Sequence, residues 1–316
     1  MVLIFSVQGD LSTSDVIEWI LYFKECCFRI NNVHELNSLL ELYPFLSVPE
    51  TKKKFTSVWY RNSPNVFLPA TIMDNKKTDK DIREYVYSEQ HGLFEAVYSA
   101  LEGYRWLGDW TNSSPGKFKQ LLVAESVGLT IPKSAIICTK EQLYEFVKNN
   151  GNIILKPIKD ISPIEIEGEY YFQYTKYLKN KDIKKLKNTF FPCLIQKRIN
   201  KNLEIRTFYI DGQFYSMAIC STFDQQTQMD YRRYNDLYPN RVVPYRLPSE
   251  IEQNLLTFMT EMNLNCGSID LILDTSGKYY FLEANPVGQF GMVSIPCNYY
   301  LEREIAKFLT RNKIMQ

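Results

Sequence analysis

The strongest constraint on the fold lies at Asp211 and Gly212, where a turn signal separates two strand-like runs. The runs read LEIRTFYI and QFYSMAIC, and both alternate in the manner of β-strands. An Asp-Gly pair between such runs favours a two-residue hairpin, because both turn positions need positive φ. A second pair of runs, GSIDLILD and KYYFLEANP, flanks a turn signal at 275–277. The last third of the chain is therefore predicted to contain two β-hairpins.

Helix and strand signals alternate through the rest of the chain, which predicts an α/β (α+β) fold. The opening VLIFSV is of strand type, and the helical pattern TKEQLYEFVKNNG carries a capping box from Thr139 to Gln142. The turn-rich stretch DWTNSSPGK marks a boundary. We divide the chain into three predicted domains, residues 1–110, 111–197 and 198–316.

Composition argues against several classes of protein. The 316 residues include 37 basic and 36 acidic ones, and a net charge of +1 gives no signal for nucleic-acid binding. No apolar run approaches the roughly 20 residues of a membrane span, and the opening sequence lacks the basic region and cleavage site of a signal peptide. Seven cysteines at irregular spacing predict a reduced, cytoplasmic protein without a zinc site. With two histidines, a His-based catalytic centre is not expected.

The last predicted strand ends in polar residues that suit a hard metal ion. Glu283 and Asn285 flank one alanine, so strand alternation puts both side chains on one face. Folding the hairpin about Ser276 puts Asp270 roughly across from Glu283. Carboxylate and amide oxygens at a sheet end are typical ligands of Mg²⁺, although solvated strand ends often carry the same residues.

Cations elsewhere in the chain are candidates for binding phosphate. Lys156 ends an apolar strand, where a lysine must reach solvent or pair with an anion, and Lys117 opens a predicted helix. Arg206 lies within a strand, where it could bind a phosphate or pair with Glu204. Taken singly, each of the two lysines is more often a surface residue.

In chain order, these segments resemble the ATP-grasp superfamily. The resemblance is carried by KFKQLLVAESVGLTIPKS, IILKP, LIQKRI, EIRTFYIDGQFYSMAI, DYRRY, GSIDLIL and FLEANPVGQFGMVS. The opening VLIFSVQGDLSTSDVIEWI, together with EANPVGQFGMVS and PCNYYLEREIA, looks like the peptide maturases that make graspetides (microviridin-like peptides), in the grasp-with-spasm branch. This resemblance covers nearly the whole chain. It implies an ATP-grasp fold with an N-terminal α/β pre-ATP-grasp domain, followed by central and C-terminal ATP-grasp subdomains.

The resemblance implies an ATP-dependent carboxylate ligase. ATP would phosphorylate an Asp or Glu side chain of a ribosomal precursor peptide, and a hydroxyl or amine of the same peptide would displace phosphate to form a macrocyclic ester or amide. The implied cofactors are ATP and Mg²⁺. The implied partner is a precursor peptide with its leader. Related enzymes suggest a homodimer by analogy, and no nucleic-acid or membrane partner is expected.

Site residues carry over from the resemblance position by position. Those implied to bind nucleotide are Lys117, Lys156, the adenine-side Gln196, Lys197 and Ile199, and the ribose-side Glu204. Those implied to bind Mg²⁺ are Asp270, Glu283 and Asn285. Those implied to act on the acyl phosphate or the peptide are Arg206, Asp230, Arg232 and Arg233.

The sequence departs from the ATP-grasp pattern in one segment, and two other functions stay open. Where many ATP-grasp enzymes have a glycine-rich phosphate loop, the stretch KPIKDISPIEIEGEYYF has one glycine, Gly168, so the phosphate lid must be built differently or order only with substrate. The core motifs would also suit a ligase that adds amino acids to a protein C-terminus or to a small substrate. A nucleotide- or peptide-binding protein without catalysis is the second alternative, although it would have little need for three metal ligands.

Overall fold

The computed structural model describes residues 1–42, 55–64, 80–159, 164–166, 169–171, 175–221 and 239–311. Its strands are β1 Val2–Phe5, β2 Cys27–Ile30, β3 Ser57–Tyr60, β4 Trp106–Leu107, β5 Ser134–Thr139, β6 Ile153–Lys156, β7 Ile164–Ile166, β8 Glu169–Tyr171, β9 Lys176–Leu178, β10 Thr189–Lys197, β11 Lys201–Ile210, β12 Gln213–Cys220, β13 Arg241–Tyr245, β14 Cys266–Asp274 and β15 Tyr279–Asn285. Its α-helices are α1 Leu11–Tyr22, α2 Val33–Leu42, α3 Lys80–Ala100, α4 Lys117–Ser126, α5 Lys140–Asn150, α6 Asn180–Lys185, α7 Ser249–Glu261, α8 Gly291–Cys297 and α9 Leu301–Thr310.

The chain forms two compact units. One comprises residues 1–113, 289–294 and 300–316, and the other comprises 114–288 and 295–299. The first contains a four-stranded sheet of order β2-β1-β3-β4 in which every pairing is parallel. All four residues of β1 are buried, as expected for a parallel strand between helices. This is the α/β architecture predicted for the N-terminal part.

The second unit contains a four-stranded antiparallel sheet of order β5-β10-β6-β9. Its core is made by aliphatic residues of this sheet and its helices, namely Ile137, Leu143, Ile153, Ile183 and Ile195. Helix α5 begins with the predicted capping box, in which the Thr139 hydroxyl accepts from the Gln142 N–H and the Gln142 side chain accepts from the Thr139 N–H.

A five-stranded antiparallel sheet of order β13-β12-β11-β14-β15 completes the second unit, together with the short ribbon β7-β8. Ile205, Leu271 and Phe281 lie in a core with residues of α4 and α7. The predicted turn at Asp211 and Gly212 is confirmed, with φ of 46° and 85°. The Ile210–Gln213 pair closes this hairpin.

The structure also bears on the predicted exclusions. Across the described ranges, no helix has the length and apolarity needed to cross a bilayer. All seven cysteines are free thiols. The division into three domains at 110 and 197 stays a prediction.

Candidate active site

The two acidic residues at the end of the sheet are direct neighbours. Asp270 of β14 pairs with Glu283 of β15, as the sequence predicts, and Ser268 pairs with Asn285. Ala284, between the two predicted ligands of β15, is 3% exposed and belongs to the core. Glu283 and Asn285 therefore lie on the sheet face opposite that core.

A β-bulge sets this arrangement. Asp270 pairs with Glu283 whereas Leu271 pairs with Phe281, so Leu282 is the extra residue of β15. The bulge lets Phe281 and Ala284 both enter the core, although strict alternation would separate them. Beyond the strand, the Asn285 Oδ1 accepts a hydrogen bond from the Val287 N–H at 3.0 Å, which fixes the orientation of its side chain.

Each carboxylate of the pair has its own cation. Arg206 of β11 donates from one guanidinium nitrogen to both oxygens of Asp270, at 2.8 and 3.0 Å. Lys117 at the start of α4 places its Nζ 3.1 Å from the Glu283 Oε2. The side chains of Arg206 and Lys117 are each 9% exposed, and those of Asp270 and Glu283 are 16% and 18% exposed. The structure therefore brings four predicted site residues into one largely buried, charge-balanced cluster.

Glu204 lies on the same strand face as Arg206, separated from it by the core residue Ile205. Its side chain is ion-paired with Lys201 and accepts a hydrogen bond from the Ser221 hydroxyl at 2.6 Å. Burial raises the pKa of Glu204, and the Lys201 charge offsets this shift only in part. The sequence left open whether Arg206 pairs with Glu204. In the structure the two side chains do not pair with each other: Glu204 contacts Lys201, and Arg206 contacts Asp270.

Lys156 and Gln196 share one face of the four-stranded sheet. Lys156 pairs with Leu194 and Gln196 pairs with Ile154, and these residues alternate with the core residues of the same strands. Gln196 is 1% exposed, and its Nε2 donates to the Ser134 hydroxyl at 2.9 Å. Within the described part of the chain its Oε1 has no hydrogen-bond partner, so this buried acceptor is available to a donor such as an amino group.

Lys197 and Ile199, the other two predicted adenine-side residues, border a cleft of about 420 Å³. Lys133, Lys278 and Tyr280 also line it. Neither Gln196 nor any member of the four-residue cluster is among its lining residues. The structure therefore separates the side chain of Gln196 from those of Lys197 and Ile199.

The structure shows neighbours of the candidate site that the sequence prediction missed. Gln120 of α4, 3% exposed, accepts from the Ala284 N–H at 2.6 Å and donates to the Pro115 carbonyl at 2.9 Å. Its position three residues after Lys117 is the signal that could have revealed it, because such residues share a helix face. Ser221 was missed because its contact with Glu204 depends on the register of β12 on β11. Lys201 was missed because strict alternation would put it on the opposite face from Glu204, whereas β11 is irregular between Lys201 and Leu203. Asp230, Arg232 and Arg233 lie outside the described residues.

The donor set fits Mg²⁺. Asp270, Glu283 and Asn285 supply hard oxygen atoms, which is the chemistry that Mg²⁺ prefers. Among the residues that the structure describes, no group of three or more His, Cys, Asp or Glu side chains forms a complete metal site. An ion at this position would therefore need additional oxygen ligands, such as those of water and phosphate.

Comparisons with known proteins give matches among solved structures alone. No family model matches the chain, and no curated protein matches it. A ligase from Chryseobacterium gregarium, described as RiPP-associated ATP-grasp (RiPP denotes a ribosomally synthesised, post-translationally modified peptide) and solved with ADP and a leader and core peptide, aligns with a TM-score of 0.81. It is 19% identical, over 98% of this chain and 96% of that one.

Two other structures help to place the chain. The macrocyclase MdnC from Microcystis aeruginosa MRC, bound with precursor peptide MdnA, aligns with a TM-score of 0.78 and 25% identity over 98% of both chains. N5-carboxyaminoimidazole synthetase from Staphylococcus aureus aligns with a TM-score of 0.52 and 10% identity, over 92% of this chain and 72% of that one.

The fold is that of an ATP-grasp ligase, as the sequence predicts. Within that class, the chain has the full-length architecture of the RiPP-associated ATP-grasp ligases, and its likeness to them extends over both of its compact units. The resemblance to ATP-grasp peptide maturases is confirmed, and the grasp-with-spasm branch stays a prediction.

Proposed function

We propose that this protein is an ATP-dependent carboxylate ligase that forms intramolecular ester or amide crosslinks in a ribosomal precursor peptide. The observation that carries the proposal is the cluster of Lys117, Arg206, Asp270 and Glu283, located in a chain that aligns over 98% of its length with a macrocyclase bound to its precursor peptide. A phosphoryl-transfer site needs both cations for phosphate and oxygen ligands for metal, and the cluster supplies both.

The reaction has two steps. A carboxylate oxygen of the peptide attacks the terminal phosphorus of ATP and ADP leaves, which gives an acyl phosphate. A peptide hydroxyl or amine then attacks the acyl carbon, loses its proton and expels inorganic phosphate. Phosphorylation supplies the leaving group that a free carboxylate lacks, so the protein contributes mainly positioning and charge neutralisation.

The described residues divide these tasks. Lys117 and Lys156 bind nucleotide phosphates, Arg206 orients the phosphate or acyl phosphate, and Glu204 faces the ribose. Asp270, Glu283 and Asn285 hold Mg²⁺, which when bound neutralises phosphate charge. Gln196 accepts the adenine amino group at its buried Oε1. Because the side chains of Lys197 and Ile199 line a separate cleft, their contacts with the adenine would come from backbone atoms. The assignment of Asp230, Arg232 and Arg233 to the peptide side rests on the DYRRY motif alone.

The pairing of the cations makes nucleotide binding an exchange of partners. Lys117 and Arg206 already contact carboxylates, so each would share or transfer its contact when a phosphate binds. The carboxylates so released would become available to the metal ion. Binding of nucleotide and metal should consequently be cooperative.

The test is mass spectrometry of a short peptide encoded beside this gene, co-expressed with the enzyme. The wild type should remove one water per crosslink, and Glu283→Ala should remove none. Glu261→Gln, which alters an exposed carboxylate at the end of α7, is the matched control and should modify the peptide fully. Equal modification by Glu283→Ala and wild type would contradict the metal assignment.

A ligase acting on free amino acids or on a protein C-terminus is the competing outcome. The chain also aligns with a carboxyaminoimidazole synthetase, which carries a different enzyme name. That TM-score is 0.52, lower than the 0.78 of the macrocyclase. ADP release that depends on free amino acids rather than on the precursor would favour this alternative. Tight ATP binding without turnover in the presence of the correct peptide would instead indicate a non-catalytic binding protein.

The proposal includes the setting of the enzyme. Its partner is a precursor peptide with a leader, and it acts in the cytoplasm without a nucleic-acid or membrane partner. By analogy with related enzymes we propose a homodimer, which light scattering on the purified protein tests directly. A monomeric mass at micromolar concentration would contradict the dimer and leave the ligase proposal unaffected.

A further inference from the structure

Gln120 connects the helix that carries Lys117 to the strand that carries Glu283 and Asn285. Its Oε1 accepts the Ala284 N–H at 2.6 Å, and its Nε2 donates to the Pro115 carbonyl at 2.9 Å. One buried amide thus bridges the loop before α4 and the backbone of β15.

The position of β15 in its sheet explains why this contact matters. β15 is an edge strand, hydrogen-bonded on one side to β14, so its outward N–H groups need partners elsewhere. The Thr130 carbonyl accepts the Phe281 N–H at 2.8 Å, and the Gln120 side chain accepts the Ala284 N–H. Ala284 is 3% exposed, so an unsatisfied N–H at this position would be costly.

The bridge also fixes a distance at the candidate active site. Gln120 lies one turn after Lys117 on the same face of α4, and Ala284 directly follows Glu283. The contact between Gln120 and Ala284 therefore sets the height of α4 along β15, and with it the 3.1 Å approach of the Lys117 Nζ to the Glu283 Oε2.

We propose that Gln120 is a positioning residue that holds the phosphate-side Lys117 in register with the metal-side Glu283. This inference rests on the proposed function, because it assigns those two residues to nucleotide and metal. Gln120 acts through the backbone and touches neither group itself. Loss of the Gln120 side chain should weaken the coupling between nucleotide binding and metal binding. Its effect on the stability of the fold should be smaller.

The packing of α4 allows this role to be separated from folding. Leu121 and Ala124 lie in the core with Phe281 and Ala284, so apolar contacts keep α4 on the sheet without Gln120. Gln120→Met preserves side-chain length and removes both hydrogen bonds. Leu121→Ala is the matched control, because it weakens the same packing from the neighbouring position and keeps the bridge.

The experiment measures the dissociation constant of ADP for the full-length protein, with Mg²⁺ and with EDTA, at a temperature where every variant is folded. We expect Gln120→Met to weaken ADP binding about tenfold in Mg²⁺, the size of effect of one net hydrogen bond, and less in EDTA. Leu121→Ala should lower Tm, but Mg²⁺ should raise its ADP affinity as much as it raises that of the wild type. The proposal would be overturned if both variants lost ADP affinity equally, or if Mg²⁺ raised the ADP affinity of Gln120→Met as much as it raises that of the wild type.

Hydrogen–deuterium exchange at the Ala284 amide gives an independent readout. Gln120→Met should speed this exchange, whereas Gln120→Glu, which keeps an acceptor, should leave it slow. If the wild type binds no ADP in Mg²⁺, the proposed function fails, and the exchange result alone then decides the bridge. Unaltered exchange in Gln120→Met would show that Gln120 does not hold β15.

Discussion

At the scale of residues, the candidate site is a set of matched charges. Asp270 pairs with Arg206 and Glu283 pairs with Lys117, and all four side chains are less than one-fifth exposed. An unpaired charge buried to this degree would destabilise the fold, so each charged side chain needs its partner. The same pairs hold the two carboxylates side by side at the end of the sheet.

The Arg206–Asp270 pair should show strong coupling in stability. Arg206→Met leaves the Asp270 carboxylate without its double contact, and we expect a loss of about 3–5 kcal/mol in the free energy of unfolding. The double variant Arg206→Met/Asp270→Asn should lose less than the sum of the two single variants. Denaturant unfolding of the four proteins measures this, and additive losses would contradict the pairing.

Peptide modification should survive one substitution of Asn285 and be lost with another. Asn285→Ala removes the acceptor for the Val287 N–H, which should cost about 0.5–1.5 kcal/mol, and removes a predicted metal oxygen. Asn285→Asp keeps both oxygen roles. We expect peptide modification to be lost in Asn285→Ala and retained in Asn285→Asp, as read by intact mass. Full peptide modification by Asn285→Ala would contradict the ligand assignment.

The sequence identified residue types at this site better than it identified their contacts. Glu283 and Asn285 share a face because strand alternation is regular between them, but the pairing of Asp270 with Glu283 depends on the bulge, since a regular hairpin would pair Asp270 with Leu282. The partners of Glu204 could not be predicted, because Ser221 reaches it through the register of β12 on β11. Gln120 was missed because its two contacts are to backbone groups, and its spacing from Lys117 was the one sequence signal that pointed to it.

At the scale of elements, the β14–β15 hairpin determines the site. Its turn is closed by Asp274, whose carboxylate accepts from the Ser276 hydroxyl at 2.7 Å and from the N–H groups of Ser276 and Lys278. The predicted turn at 275–277 is confirmed. The bulge at Leu282 was not predicted, because it follows from packing of Phe281 and Ala284 rather than from any local signal.

Asp274 should make stability depend on pH in the acid range. The hydrogen bond from Ser276, then that from the Lys278 N–H, holds its pKa below the usual value of 3.8. A carboxyl group with a lowered pKa stabilises the fold above its unfolded pKa, and this contribution is lost as pH falls through the folded pKa. The urea midpoint of Asp274→Asn should therefore lie below that of the wild type at neutral pH and converge with it in acid. Glu261→Gln is the control, and a constant difference for Asp274→Asn would contradict the prediction.

The turn after β15 should not accept a side chain at Gly288. A Cβ there would clash with the Cβ of Ser268 and lie 2.9 Å from the Asn285 carbonyl oxygen. We expect Gly288→Ala to cost about 1–3 kcal/mol and to displace Asn285, lowering both Tm and peptide modification. Adding Ser268→Gly removes one clash and should recover part of the Tm. No recovery would mean that the strain lies elsewhere.

At the scale of the whole molecule, the order of the motifs predicted the fold and local signals predicted parts of it. Hairpin turns and strand periodicity predicted the two hairpins of the five-stranded sheet, but not the antiparallel pairing of β5, β10, β6 and β9. Seven ordered motifs gave the ATP-grasp resemblance that the structural comparisons confirm. The compact units were beyond sequence reasoning, because residues 289–294 and 300–316 belong with the first 113 residues. Such long-range assembly is set by packing rather than by local composition.

The measurement that tests the central claim most directly follows an oxygen atom. The precursor peptide is prepared with heavy-oxygen-labelled Asp and Glu carboxylates, incubated with enzyme, ATP and Mg²⁺, and the released phosphate is analysed by mass spectrometry. Activation by phosphoryl transfer predicts one labelled oxygen in inorganic phosphate for every crosslink formed, and none with Glu283→Ala. Crosslinks formed without label in inorganic phosphate, or with the label in AMP, would contradict the account.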